Sequence, residues 1–139
     1  MSTARRIVRL SAAYDLVVTL GFAFPFTAPL VFWALADLHD RLGLTGMVPD
    51  PDQPFTVMFA VLMGGLVTVW SVFRLLRPSL LAGAADVAGR LFFSTGMIAA
   101  LAAGATPLVG VMLALELGWA VVQAVAVARA ARPMPTVPA

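Results

Sequence analysis

Long apolar runs separated by short polar turns set the pattern of this 139-residue chain. About 20 apolar residues cross the hydrocarbon core of a bilayer, and four runs approach that length. The first begins near Leu10 and contains LSAAYDLVVTLGFAFPF, which predicts a span over about 10–25. The second, FTVMFAVLMGGLVTVWSVF, predicts a span over about 55–76. The third and fourth are expected over about 80–103 and 107–128. The linkers RLLRPS and GATP are short enough to force spans two, three and four into an antiparallel series.

The first run stays apolar to Ala36, too long for one untilted span, and Pro25 and Pro29 interrupt it. Proline removes a backbone donor and ends or kinks a helix. The preferred reading is a span followed by a short amphipathic helix over about 28–42, lying in the interface. There Leu30, Trp33 and Leu38 recur at helical spacing, while Asp37, Asp40 and Arg41 reach water. The alternative is one long, kinked, tilted helix. The Pro- and Asp-rich loop over about 43–54 reads as an extended cap, and the tail 129–139 as an extended end. Arginines ahead of an apolar run resemble a signal peptide. Asp15 inside that run argues for a retained helix.

Composition agrees with the pattern. Hydrophobic residues make up 61% and charged residues 12%, against roughly 45–50% and 25% in soluble chains. A small soluble domain cannot cover so much apolar surface, so a soluble enzyme and a free nucleic-acid-binding module are excluded. With no Cys and one His, His39, the chain has no thiol chemistry, cysteine-held metal or bis-histidine haem of its own. All nine bases are Arg. In a four-span arrangement Arg5, Arg6, Arg9, Arg74, Arg77, Arg129 and Arg132 fall on one side. Arg41 with Asp37, Asp40, Asp50 and Asp52 falls on the other. The positive-inside rule then places both termini in the cytoplasm.

Ionisable groups within apolar spans are the chief functional hint, since each is expensive against lipid. They are Asp15 in the first span, Arg74 in the second, Asp86 and Arg90 in the third, and Glu116 in the fourth. At ~1.5 Å per residue, Asp15 and Asp86 lie about 9–10 Å deep, Arg90 about 16 Å and Glu116 about 19 Å. That predicts two layers: Arg90 with Glu116 deeper, and Asp15, Asp86 and Arg74 shallower. Two Arg against three acids leave a formal −1, room for one protonated carboxyl, with Glu116 the candidate if Arg90 is drawn to Asp86. Such a network either joins the helices or lines a polar pocket for a head group, quinone or proton. Tyr14, Ser94 and Gln123 are placed to extend it. Gly96, Ala100 and Gly104 in the third span, and Gly110, Ala114 and Gly118 in the fourth, recur every four residues, as close helix packing requires. They serve either the contact between those two spans or a homodimer face. Gly64–Gly65 permits a further close approach or a slight kink. Trp33 and Trp70 read as interface anchors, and Trp119 as a cover for the polar layer.

No phosphate loop, HExxH, paired-acid metal set or Ser-His-Asp arrangement is present, and the two halves show no inverted repeat. The RxxRPS turn (Arg74, Arg77, Pro78, Ser79), the acid and Arg early in the third span (Asp86, Arg90), and the acid before Trp in the fourth (Glu116, Trp119) resemble DoxX-like four-helix membrane proteins of bacteria. The resemblance covers spans two to four. It implies a small inner-membrane protein; some DoxX-like proteins are subunits of quinone-linked oxidoreductases, and no catalytic residue carries over. The fold expected is therefore all-α, a four-helix transmembrane bundle with both termini inside and an amphipathic segment after helix one. The leading expectation is a non-enzymatic accessory or structural subunit, or a homo-oligomer. Its partners would be membrane lipids and other membrane subunits or copies of itself, not nucleic acid, and it needs no cofactor. The alternative is a module that binds or transports a lipid, quinone or small amphiphile at the polar layer. An intramembrane enzyme using Glu116 or Asp86 for proton transfer is a third option.

Overall fold

Five α-helices and one 3₁₀ turn account for most of residues 2–132, which the computed structural model describes. They are α1 (Thr3–Thr19), the turn Leu20–Phe22, α2 (Ala28–Arg41), α3 (Pro54–Leu76), α4 (Leu80–Ala102) and α5 (Leu108–Ala131). The last helix therefore takes in 129–131 of the expected extended tail, and 133–139 lie outside the described residues.

Three helices, α3, α4 and α5, are long and apolar enough to cross a membrane. At 23 or 24 residues each they measure about 35 Å, more than the ~30 Å hydrocarbon core. Their ends follow local rules. Proline stands in the first turn of α3, where a missing N–H breaks no intrahelical bond. The Ser79 hydroxyl accepts the Ala82 N–H at 3.0 Å and caps α4. Gly104, at φ 92°, closes α4: its N–H reaches the Leu101 carbonyl, and the Ala105 N–H reaches that of Ala100, both at 3.0 Å. These bonds satisfy carbonyls the helix end would otherwise orphan.

The first helix differs from the expected span. It begins at Thr3 rather than near Leu10, so Arg5, Arg6 and Arg9 are helical, and it stops at Thr19. The chain then breaks over 23–27 and restarts with Pro29 in the first turn of α2, as two helices and not one kinked rod. The buried face of α1 is Ala4, Val8, Ser11, Ala12 and Asp15, a helical stripe of small and polar residues. With it α1 packs on α3 and α5 and touches α4, while α4 lies along α5.

The bundle is inverted relative to a soluble one. On α3, Phe55, Phe59, Leu62, Leu66, Val69, Phe73 and Leu76 point outward, recurring every three or four residues. The buried residues of the same helix are Gly64, Ser71 and Arg74. The large apolar side chains that would fill a water-soluble core face outside, which suits an apolar solvent.

The long connection after α2 is anchored at the far end of α4. Met47 donates its N–H to Gly104 O at 2.9 Å and accepts from the Thr106 N–H at 2.8 Å. This forms one isolated parallel bridge, Met47 with Ala105, in a segment expected to be extended throughout. At the opposite end, Arg5 and Arg9 of α1 share a cavity wall with Arg77, and Ser2 and Thr3 share one with Arg129. The basic ends of α1, α3 and α5 thus gather together.

Gly64 supplies the tightest approach. A Cβ added there would lie 2.6 Å from the Phe22 carbonyl carbon, whereas one at Gly65 meets nothing within 4 Å. Gly64→Ala is expected to lower stability in detergent by about 1–3 kcal/mol through overpacking. Gly65→Ala should leave it unchanged or raise it by up to ~1 kcal/mol, since Ala is the better helix former. Thermal unfolding of the pair measures the difference.

Candidate functional site

Asp15, Arg74, Asp86, Arg90 and Glu116 meet in a single cluster contributed by α1, α3, α4 and α5. Arg90 is its hub. Its Nη1 lies 2.6 Å from Glu116 Oε2, its Nη2 2.7 Å from Asp15 Oδ1, and its Nε 3.2 Å from Asp86 Oδ2. Arg74 takes the other side, with Nη2 at 2.5 Å from Asp15 Oδ2 and Nη1 at 2.6 Å from Asp86 Oδ2. Both guanidinium groups are buried. Of the five, the Glu116 side chain retains the most exposure, at 16%.

The two expected layers therefore merge. Arg90 reaches the deep Glu116 and both shallow aspartates at once. Axial rise separates Asp86 from Arg90 by only about 6 Å, and an arginine stem with its forked head covers one helical turn. The i, i+4 order of Asp86 and Arg90, acid first, is the favourable one on a helix.

Three further residues enter the cluster. The Ser11 hydroxyl accepts from Arg90 Nη2 at 2.8 Å and from Arg74 Nη1 at 3.3 Å, and it donates to Asp86 Oδ2 at 3.3 Å. Ser71 Oγ accepts from Arg74 Nη2 at 3.4 Å. Trp70, expected as an interface anchor, donates its indole N–H to Asp86 Oδ1 at 2.9 Å. The Arg74 guanidinium also stands over its ring, 5.6 Å from the centroid. Trp119 stacks at a tilt on Tyr14, centroids 5.6 Å apart, beside Glu116 on α5. The helical spacing of Ser11 to Asp15 and of Trp70 and Ser71 to Arg74 was the available signal, since residues three or four apart share a face.

The proposed extensions go elsewhere. Ser94 Oγ donates to the Arg90 carbonyl at 2.8 Å, and Gln123 Nε2 donates to Gly83 O at 3.0 Å. Neither bonds a carboxylate. The glycines of the small-residue rows make no tight contact between α4 and α5. Gly96, Gly104, Ala114 and Gly118 are exposed, and a Cβ at Gly96, Gly110 or Gly118 meets nothing within 4 Å. Ala100 lies in a cavity wall. The seam instead uses Gly83, where a Cβ would come within 2.9 Å of both Val8 and Val127. Spacing alone identifies a row but not the direction it faces.

His39 lies apart from the cluster. It is buried, with Nδ1 at 2.8 Å from the Thr106 hydroxyl, and it ties α2 to the α4–α5 turn. An apolar cavity of about 480 Å³ opens beside it, walled by Phe32, Leu35, Phe93, Met97 and Met112 among others. None of the five ionisable residues lines this cavity or the other prominent ones. Among the described residues no group of three His, Cys, Asp or Glu is placed to hold a metal. No family model, curated protein or solved structure matches the chain.

With its charges paired and its hydroxyls bonded, the cluster's evident chemistry is cohesion. Removing one partner of a buried pair costs about 3–5 kcal/mol, because it strands the others. Arg90→Leu, which leaves Glu116 without a cation and takes one of two arginines from Asp15 and Asp86, is expected to fall at the upper end of that range. Ser11→Ala should cost about 1–3 kcal/mol by leaving donors unmet. Arg41→Gln, which breaks the exposed Arg41–Asp37 pair, should change stability by less than ~1 kcal/mol. Denaturant unfolding in detergent ranks the three.

Proposed function

We propose that the chain is a small non-enzymatic protein of the bacterial inner membrane, an accessory or structural subunit of a membrane complex or a homo-oligomer. In this reading α1 joins α3, α4 and α5 as a fourth spanning helix, both termini are cytoplasmic, and α2 lies in the outer interface. The DoxX-like resemblance belongs to the same proposal. The observation that supports it is the ion-pair cluster itself. Two buried arginines pair with all three of its carboxylates, and no prominent cavity reaches them, as substrate chemistry there requires. The open faces around Gly96, Gly110 and Gly118 are where another helix can approach closely. The gathering of arginines at one end favours that end for the cytoplasm.

A second reading, a module for a quinone or other small amphiphile, draws on the apolar cavity. Phe93 and Met112 in its wall lie three and four residues from Arg90 and Glu116, so a chain held there would bring a polar head toward the cluster.

Native mass spectrometry of the protein, extracted gently from its own membrane, separates the two. A defined homo-oligomer or a persistent heterologous subunit is the expected result. A monomer that retains an amphiphile, and loses it in Arg90→Leu, would overturn the subunit reading in favour of the second.

A further inference from the structure

The basic end of the bundle carries a feature that neither reading uses. Arg5 and Arg9 stand one turn apart on one face of α1. With Arg77, the residue that ends α3, they line a cavity of about 770 Å³ whose remaining wall is Phe73, Leu76, Pro78 and Ser79. Among the described residues no carboxylate pairs with any of the three arginines. Every acid of the neighbouring helices is already engaged in the buried cluster. Three like charges around one hollow repel one another, and an anion between them relieves that repulsion.

Two further observations point to an anion. First, Arg9 is held in place: its Nε donates to the Leu75 carbonyl at 3.2 Å. That bond caps an orphaned acceptor at the end of α3 and leaves the two terminal nitrogens of Arg9 unbonded among the described residues. Second, Ser79 is the N-cap of α4, a helix with no acid in its first turn. The Ser79 hydroxyl caps one N–H of that turn, but no carboxylate of its own offsets the positive end, and Ser79 stands in the wall of the same hollow.

The apolar part of the wall narrows the identity of the anion. Phe73 is 49% and Leu76 71% exposed, and both lie on the outward apolar stripe of α3 that leads away from the arginines. A free inorganic anion has no use for that stripe. An amphiphile with an anionic head and a hydrocarbon chain matches both halves.

We propose that Arg5, Arg9, Arg77 and the N-terminus of α4 at Ser79 form a headgroup site for the phosphodiester of an anionic membrane lipid, whose acyl chain lies along Phe73 and Leu76. The site rests on the reading of the chain as a membrane protein. It is independent of the subunit role. Basic pockets between membrane helices hold lipid phosphates in this manner.

The test uses the full chain in a neutral detergent, titrated with phosphatidylglycerol and, separately, phosphatidylcholine of the same chain length. Retained lipid is counted by native mass spectrometry. A preference for phosphatidylglycerol on the order of tenfold is expected. Arg5→Gln/Arg9→Gln/Arg77→Gln should abolish the preference. Arg77→Gln alone, which leaves the Arg9 anchor on Leu75 intact, should reduce it severalfold and serves if the triple variant does not fold. Arg129→Gln/Arg132→Gln, which removes charge from the same end but outside this hollow, should keep it. Equal retention of both lipids by the natural chain, an unchanged preference in Arg77→Gln, or an equal loss in the Arg129/Arg132 variant would each overturn the site. Displacement of phosphatidylglycerol by millimolar inorganic phosphate would overturn the lipid assignment, because a free anion would then suffice. Subunit mass, read in the same spectra, reports on the proposed function separately.

Discussion

Arg90 is shared among three carboxylates on three different helices, Asp15 on α1, Asp86 on its own α4 and Glu116 on α5. Arg74 then binds two of the same three from α3. A guanidinium has five N–H donors in a fixed plane, and this arrangement uses the whole fork of Arg90. The rest of the bundle follows from that sharing. Each helix is placed where its polar group meets the common centre, and the faces that remain are apolar or small. Hydrophobic burial is a weak organiser when the large apolar residues face outward, so orientation falls to the polar centre and to close backbone contacts such as Gly64 on Phe22.

The same centre explains the composition of α1. It is the shortest of the four helices in the cluster and the richest in charge, and its buried stripe is small and polar. Ser11 and Asp15 make it a wedge between α3 and α5. Without those contacts α1 has little reason to leave an aqueous or interfacial setting. With them it supplies acceptors to both arginines.

Much of this was legible in the sequence, and the limits are physical. Apolar runs of membrane length located α3, α4 and α5, because a helix interior in lipid must be apolar nearly all round. The five ionisable residues stood out for the same reason, as exceptions too costly to leave unpaired. Axial rise gives height along a helix, however, and not direction around it. The two expected layers were a reading of height, which the reach of Arg90 overrode. The row of Gly96, Ala100 and Gly104 had the period of a packing face, but period does not say which neighbour a face meets. Ser11, Ser71 and Trp70 were hidden because a single hydroxyl or indole inside an apolar run is unremarkable until its neighbours in space are known. The His39–Thr106 contact joins residues 67 apart, beyond any local pattern.

The order of the partners along the chain has a consequence for how the protein is made. Asp15 receives its hydrogen bonds from Arg74 and Arg90, 59 and 75 positions later. When α1 leaves the ribosome, neither arginine that binds its carboxylate has yet been made. α1 cannot settle as a finished element at that stage. Its placement in the cluster must await α3 and α4, so α1 is made before the helices that secure it.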